Sequence, residues 1–436
     1  MELTGILGAL FLSGAIGWLM VCNSTLAIAL TAFSLPFDQQ IIMENPLTVY
    51  TTEALIAGLI GGAFVRRFTA NAKAPAMDYR VWILPLLVMA GWVVSFPGSL
   101  DRISSIKALI RWMELWIVLA VIAAYIRRGL VDARMVSGGY LAGVVVAGIM
   151  ILREFVIAPL LLRPSGPISP NSIPPYMGLG LLLLIAGIRP RFGRHDKLAA
   201  WLIGILVMAS LIASQSRTGV AAGVAGVLVC LALLGWPARK AIIASASIII
   251  ILLGIAAIRD WRVMYRLSTY PQFYKSPAFI ERVDIYRLGE KIWEERPLLG
   301  AGAGNYGLAL NGYFTANPRV LERVNKIPLM YSDLQAHAHN LFLHLAIESG
   351  IIGLGFWIGA LAVLGYLLAG SRGAPLMPFA GGIGLMVVFV FTNMLDITIT
   401  HSRGVLFAVG WGIFLGLRQA GKDKFRGRSG KRKAGF

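Results

Sequence analysis

The sequence predicts an all-α polytopic membrane protein with about twelve membrane-spanning helices, and three observations predict it. Hydrophobic residues make up 57% of the 436 residues and charged ones 14%, where soluble domains run at roughly 45–50% and about 25%. The apolar residues arrive in continuous runs that repeatedly approach the roughly 20 residues needed to cross about 30 Å of hydrocarbon. Those runs do not alternate polar with apolar positions, which excludes a β-barrel. A mean hydropathy of +0.73 also excludes the soluble multidomain reading that length alone suggests.

Residues 3–35 open the chain as one long helix or as two short ones broken at Cys22-Asn23-Ser24. Apolar runs follow at 51–65, 81–96, 106–126, 135–158, 173–188, 198–213, 218–235, 240–258, 340–369 and 376–395, with a last one near 403–417. The total is 12 or 13. Basic loops orient them: Arg66, Arg67, Lys73 and Arg80; Arg127, Arg128 and Arg134; Arg189, Arg191, Arg194 and Lys197; Arg239 and Lys240; then Arg372 and the tail from Arg418 to Lys433. By alternation all fall on one side, the cytoplasm. Parity then favours 12 spans with both termini inside.

The same loops account for the excess of 40 Lys+Arg over 21 Asp+Glu, a net charge of +19, without nucleic acid as a partner. The tail Lys422–Lys433 reads as a disordered cytoplasmic end drawn to anionic membrane lipids. Cys22 and Cys230 lie in apolar runs and supply neither a disulfide framework nor a cysteine metal site. The first run begins almost at Met1 without a basic region before it, so no cleavable signal peptide is expected. The organisation is spans over 1–258, an outer catalytic loop over 259–339, the last spans over 340–417 and a basic tail over 418–436.

The outer loop carries 11 basic and 8 acidic residues. A connection this long is functional or disordered, and its tryptophans, tyrosines and helical pattern argue for order. Ile280–Arg296 reads as an amphipathic helix stopped by Pro297. Arg282, Tyr286, Gly289 and Trp293 share a face that suits an anionic lipid head group or an interfacial anchor. Gly300-Ala301-Gly302-Ala303-Gly304-Asn305 reads as a turn, since no phosphate-loop lysine accompanies it.

His337-Ala338-His339-Asn340 stands immediately before the run from Leu341, and the chain has five histidines in all. A helix N-terminus disfavours imidazolium, so a histidine there stays neutral and accepts a proton as a general base. A plain capping pair is the bland alternative. A metal needs a third ligand; Asp333 is near, but Asp38, Glu44 and Asp101 are scattered singly, which favours metal-independent chemistry and no cofactor. Arg217 interrupts two apolar runs at the outer face, where charge is functional by default. Arg163 opens the stiff stretch Arg163-Pro164-Ser165-Gly166-Pro167-Ile168-Ser169-Pro170-Asn171, and Asp396, His401 and Arg403 form a weaker outer cluster. Arg163, Arg217, Arg282 and Arg287 thus stand outside near a histidine base. Guanidinium forks grip phosphates, so the set suits a lipid-linked diphosphate from which a sugar is displaced. A transporter would show inverted repeats and midplane charge, and neither is evident.

Ser216-Arg217-Thr218-Gly219, the run from Arg282 through Trp293 to Arg296-Pro297-Leu298-Leu299-Gly300-Ala301-Gly302, and His337-Ala338-His339-Asn340 through Glu348-Ser349-Gly350-Ile351-Ile352-Gly353 together resemble the O-antigen ligase and polymerase superfamily. Gly166–Asn171 is similar to a further segment of that family. The resemblance implies a GT-C-like, metal-independent inverting glycosyltransferase of the bacterial inner membrane. O-antigen would pass from undecaprenyl diphosphate to a sugar of lipid A–core at the periplasmic face. It maps the catalytic histidine to His339, leaving His337 as a neighbour, and the diphosphate-binding arginines to Arg217 and to Arg282 with Arg287 second. O-antigen or exopolysaccharide polymerases and protein O-oligosaccharyltransferases share these motifs and differ in acceptor.

Overall fold

The computed structural model describes residues 2–44, 47–69, 79–157, 172–187, 194–214, 216–235, 277–325, 337–370, 375–398 and 401–433. Arg163 with its proline-rich stretch, the expected span 240–258 and Asp333 lie outside the described residues. Of the helices described, seven are long and apolar enough to cross a membrane, and four apolar ones of 10–17 residues accompany them. Their outward surface is greasy, with Phe11 75%, Phe68 71% and Tyr366 69% exposed, as a lipid-facing bundle requires.

The opening segment is two helices, α1 (Glu2–Cys22) and α2 (Ser24–Ser34). Asn23 separates them by taking a non-helical conformation and accepting the Leu26 N–H at 3.1 Å, the role asparagine fills at helix starts. A hairpin of β1 (Gln40–Glu44) and β2 (Leu47–Tyr50) follows, an element that the apolar runs do not predict. It leads into α3 (Thr51–Thr69). Gly58 and Gly62 of α3 meet Ser13, Gly17 and Met20 of α1 in matching order, and Arg66 donates to the Met20 carbonyl at 3.3 Å. The two helices therefore run parallel. The start of α1 lies at the end opposite Arg66 and Arg67, not on the basic side where twelve-span parity puts it, because the break at Asn23 turns the chain back once more.

Then come α4 (Ile83–Ser95), α5 (Arg102–Arg127), α6 (Ala133–Ile157), α7 (Ile173–Leu182), α8 (Arg194–Ala213) and α9 (Arg217–Leu233). The outer segment forms α10 (Pro277–Glu295), α11 (Tyr306–Ala316) and α12 (Pro318–Asn325). The chain ends with α13 (Leu341–Ala369), α14 (Leu376–Asn393) and α15 (His401–Lys433). Helices approach closely where side chains vanish: Gly91 of α4 meets Gly353 of α13, and Gly226 of α9 meets Gly384 of α14. Small residues do this in membranes because packing, not water exclusion, holds the helices together. Trp116, Trp411, Tyr140, Tyr176 and Phe389 fill the centre.

Residues 418–433 continue α15 as helix rather than forming the disordered end expected from composition. Arg418 explains its start: only 7% exposed, it donates to the carbonyls of Ala369 and Pro375 and lies 5.3 Å from the Phe379 ring centroid. Arg127 also pairs with Asp423 at 2.9 Å.

The outer segment has its own small core, in which Ile285, Leu288 and Ile292 of α10 and Tyr306, Leu310 and Phe314 of α11 surround Ile347 of α13. Helix α13 is about 43 Å long at 1.5 Å per residue, more than the roughly 30 Å of hydrocarbon, and it is kinked at Gly350 (φ +64°). The loop 297–302 docks into that kink. Ile351 and Ile352 donate to the carbonyls of Pro297 and Leu298, at 2.9 and 3.4 Å, while Ala301 and Gly302 donate to those of Ile347 and Glu348, at 2.9 and 2.8 Å. The backbone groups freed by the break are thereby satisfied, as burial demands.

Candidate active site

Asn340 starts α13: its side chain accepts the N–H groups of Phe342 and Leu343 at 2.9 and 3.1 Å. This cap stops the helix from extending backwards and leaves His337, Ala338 and His339 as a turn above it. His339 is at φ +49°, where Cβ crowds the backbone and the cost is about 1–2 kcal/mol. Such strain persists only where surroundings impose it, and it gathers at functional sites. The Tyr286 hydroxyl of α10 is one of those surroundings, lying 3.1 Å from the His339 carbonyl oxygen and 3.0 Å from that of Met394. Its single proton is shared between the two, tying α10 to the histidine turn and to the end of α14.

Past Met394 the chain turns through Asp396, whose Oδ1 accepts the Ile397 N–H at 2.8 Å. The same oxygen lies 4.0 Å from His339 Nδ1, and Oδ2 lies 3.8 Å from Arg403 Nη1 at the head of α15. Asp396 thus stands between an imidazole and a guanidinium. Nδ1 thus faces the carboxylate, as in sites where an acid orients a histidine base through one ring nitrogen and the other takes the proton. Arg282 and Asp396 both act electrostatically on the Tyr286 hydroxyl, whose pKa is raised by burial first, Arg282 opposing and Asp396 adding to the rise. The half-buried Arg282 therefore faces the same corner as Asp396 and Tyr286.

His337 sits beside His339, with ring centroids 4.2 Å apart. Its Nδ1 accepts the His339 N–H at 3.3 Å. Burial, then the neighbouring His339, His344 and Arg403, press its pKa down to about 3. His337 is a neutral ring at every physiological pH, which makes His339 the base candidate of the two.

One step into α13, His344 Nε2 lies 3.4 Å from Glu348 Oε1. Glu348 is 3% exposed, and the same oxygen accepts the Tyr306 N–H at 3.2 Å. This carboxylate clasps α11 onto α13. Below it, Asn305 donates through its amide to Ser105 Oγ at 2.9 Å and Ser99 Oγ at 3.1 Å and accepts the Asp101 N–H at 3.0 Å. The loop carrying Gly300, Gly302 and Gly304 is thus fastened to the head of α5 and to the kink of α13. These glycines all have positive φ, in agreement with a turn.

Arg217 opens α9, capped by Ser216, whose hydroxyl accepts the Gly219 N–H at 3.3 Å. Because α9 packs antiparallel on α14 through Gly226 and Gly384, its first residue lies at the end of α14 that leads to Asp396. Arg287 is placed differently. It stands about 140° round α10 from Arg282, at about 100° per residue, its side chain is 76% exposed, and it meets Asp284 at 3.7 Å. The α10 face expected to meet a lipid head group packs on α13 instead, with Gly289 against Leu343 and Ile347.

His337, His339 and Asp396 offer ligand atoms within 4.8 Å of one another, and Asp396 supplies the third ligand that the sequence did not locate. The hydrogen bonding opposes a metal there. A metal-bound imidazole carries its proton on the other nitrogen, as a donor, whereas His337 Nδ1 already receives an N–H. Arg403 beside Asp396 adds a positive charge where a cation would have to sit. Asp396 and Arg403 are the residues that sequence reasoning left in a weaker cluster. Nothing in their spacing announces them, since α14 and α15 carry them to His339 from more than fifty residues away.

The family model described as O-antigen ligase matches residues 198–358, supporting an O-antigen ligase-family assignment. The matched segment runs from α8 through the kink of α13 and contains Arg217, Arg282, His337 and His339, while Asp396 and Arg403 lie beyond it. No curated protein matches the chain. The match covers less than half of the chain, and seven of the described helices are long and apolar enough to cross a membrane.

Proposed function

We propose that the protein is an O-antigen ligase of the bacterial inner membrane. It moves O-antigen from undecaprenyl diphosphate to a sugar hydroxyl of lipid A–core at the periplasmic face, with inversion and without a metal. The observation that carries this reading is His339, strained and held 4.0 Å from Asp396 among arginines, inside the segment that matches the ligase family. His339 Nε2 takes the proton of the attacking hydroxyl while its oxygen forms the new bond to the anomeric carbon. The carbon–oxygen bond to the diphosphate breaks, and undecaprenyl diphosphate leaves with that electron pair. Asp396 stabilises the imidazolium formed. Arg217, Arg282 and Arg403 hold the developing negative charge, the term that preorganised cations supply best. Arg287, and Arg163 from its position in the sequence, are further candidates for binding the diphosphate. General-base help contributes about 10²–10⁴-fold, so charge stabilisation carries much of the remainder.

The test is transfer by purified protein, given undecaprenyl-diphosphate O-antigen and lipid A–core singly and together, in EDTA. A ladder on lipid A–core that needs both substrates supports the proposal. Longer undecaprenyl-linked chains without lipid A would make the protein a polymerase, and loss of product in EDTA would overturn the metal-independent mechanism.

A further inference from the structure

The turn that carries His339 also fixes the chemistry of His337. The turn that ends at His339 brings its N–H back onto the side chain two residues earlier, where it meets His337 Nδ1 at 3.3 Å. A backbone N–H has no lone pair to offer, so Nδ1 is the unprotonated, accepting nitrogen, and a neutral His337 carries its proton on Nε2. The edge-to-face contact with the His339 ring, centroids 4.2 Å apart, restrains the ring from turning over to exchange the two nitrogens.

The surroundings keep the ring neutral. Burial first, then His339 on its own turn, His344 in α13 and Arg403 in α15 oppose a second proton, outweighing a backbone hydrogen bond at His337 that favours it. Tyr286 and Arg282 approach from α10. Among the described residues, Asp396 is a carboxylate within reach, and it is engaged by His339 and Arg403.

We infer that His337 is an uncharged hydrogen-bond donor of the active site, presenting Nε2–H to an anionic oxygen of the departing diphosphate. This rests on the glycosyl-transfer reading above. Such a donor strengthens its bond as charge develops on the leaving oxygens. It transfers no proton, so the proton from the acceptor hydroxyl goes to His339 alone. The pair divides the work: His339 accepts and His337 donates.

Two variants and one spectrum test this. His337→Gln keeps an N–H near the Nε2 position and is expected to hold kcat within about tenfold of wild type. His337→Phe keeps the ring without the donor and is expected to lose about 10²–10³-fold in kcat, the cost of one oxyanion donor. The acid limb of the kcat/KM profile should coincide in wild type and His337→Gln, because His339 is the titrating group. Folding of both variants is checked by thermal unfolding. In ¹⁵N-histidine NMR, with the resonance assigned by its loss in His337→Gln, His337 should remain the Nε2–H tautomer from pH 5 to 8. Equal activity in the Gln and Phe variants, high or low, overturns the donor role, as does titration of His337 between pH 5 and 8. His339→Ala serves as the separate control. If it transfers sugar normally, the base assignment fails whatever His337 does; if it is inactive and the His337 results fail, the donor role alone falls.

Discussion

Asp396→Asn isolates what the carboxylate does for the base. Asparagine keeps the shape and still accepts the Ile397 N–H through its oxygen, so the turn after α14 should hold. What disappears is the charge 4.0 Å from His339 Nδ1, in a setting where the two side chains are 18% and 15% exposed. Unit charges at that distance attract by about 4 kcal/mol at an effective dielectric near 20. Arg403, 3.8 Å from the other carboxylate oxygen, already offsets part of the field. Taking half as remaining gives about 2 kcal/mol, or about 30-fold in kcat. The loss should fall on kcat, with KM for the lipid-linked donor nearly unchanged, because the imidazolium exists only once the proton has moved. The assay is the in vitro transfer reaction at saturating acceptor across pH 5.5 to 8.5. A variant with wild-type kcat, or one impaired only in KM, would refute the role assigned to Asp396.

Three further outcomes follow from the geometry. Gly350→Ala places a Cβ against the Leu298 carbonyl at a φ of +64°; the backbone term alone is about 1–2 kcal/mol, so loop 297–302 should be expelled from the kink, with lowered thermal stability and lost transfer activity. Asn305→Leu removes a fully buried amide and strands the Asp101 N–H, which should cost about 1–3 kcal/mol; a change in unfolding free energy below about 0.5 kcal/mol would contradict the fastening role. The native His337 pKa of about 3 lies below the ordinary value of 6.5, so between those values the unfolded chain binds a proton that the folded chain refuses. Stability contributed by this residue is therefore complete above pH 6.5 and is lost as pH falls towards 3; thermal unfolding at pH 7 and pH 5 should show a smaller acid loss in His337→Gln than in wild type.

Local chemistry made much of the protein legible from the chain alone. Membrane spans announce themselves by run length, because hydrocarbon tolerates no unpaired backbone and few charges. The amphipathic α10 with its Pro297 stop, the glycine turn and the capped histidine turn are all written within a few residues. His339, Arg217 and Arg282 stand out as candidates because a charge or base beside an apolar run is conspicuous. The break at Asn23 was visible too, but whether it reverses the chain depends on where Gly58 and Gly62 can pack.

The tertiary structure decided the rest. Asp396 becomes a partner of His339, and Arg403 of Asp396, because the end of α14 and the start of α15 lie beside the start of α13, and no sequence spacing encodes a meeting over more than fifty residues. Arg282 and Arg287 look alike in the chain, yet helical geometry turns one towards Tyr286 and the other outward to Asp284. The two histidines are interchangeable by composition, and only the backbone N–H aimed at His337 Nδ1 separates donor from base. Sequence determines which groups exist and which segments enter the membrane, since those depend on residues close in the chain. Roles within the site depend on distances and on hydrogen-bond direction, which arise only once the helices pack.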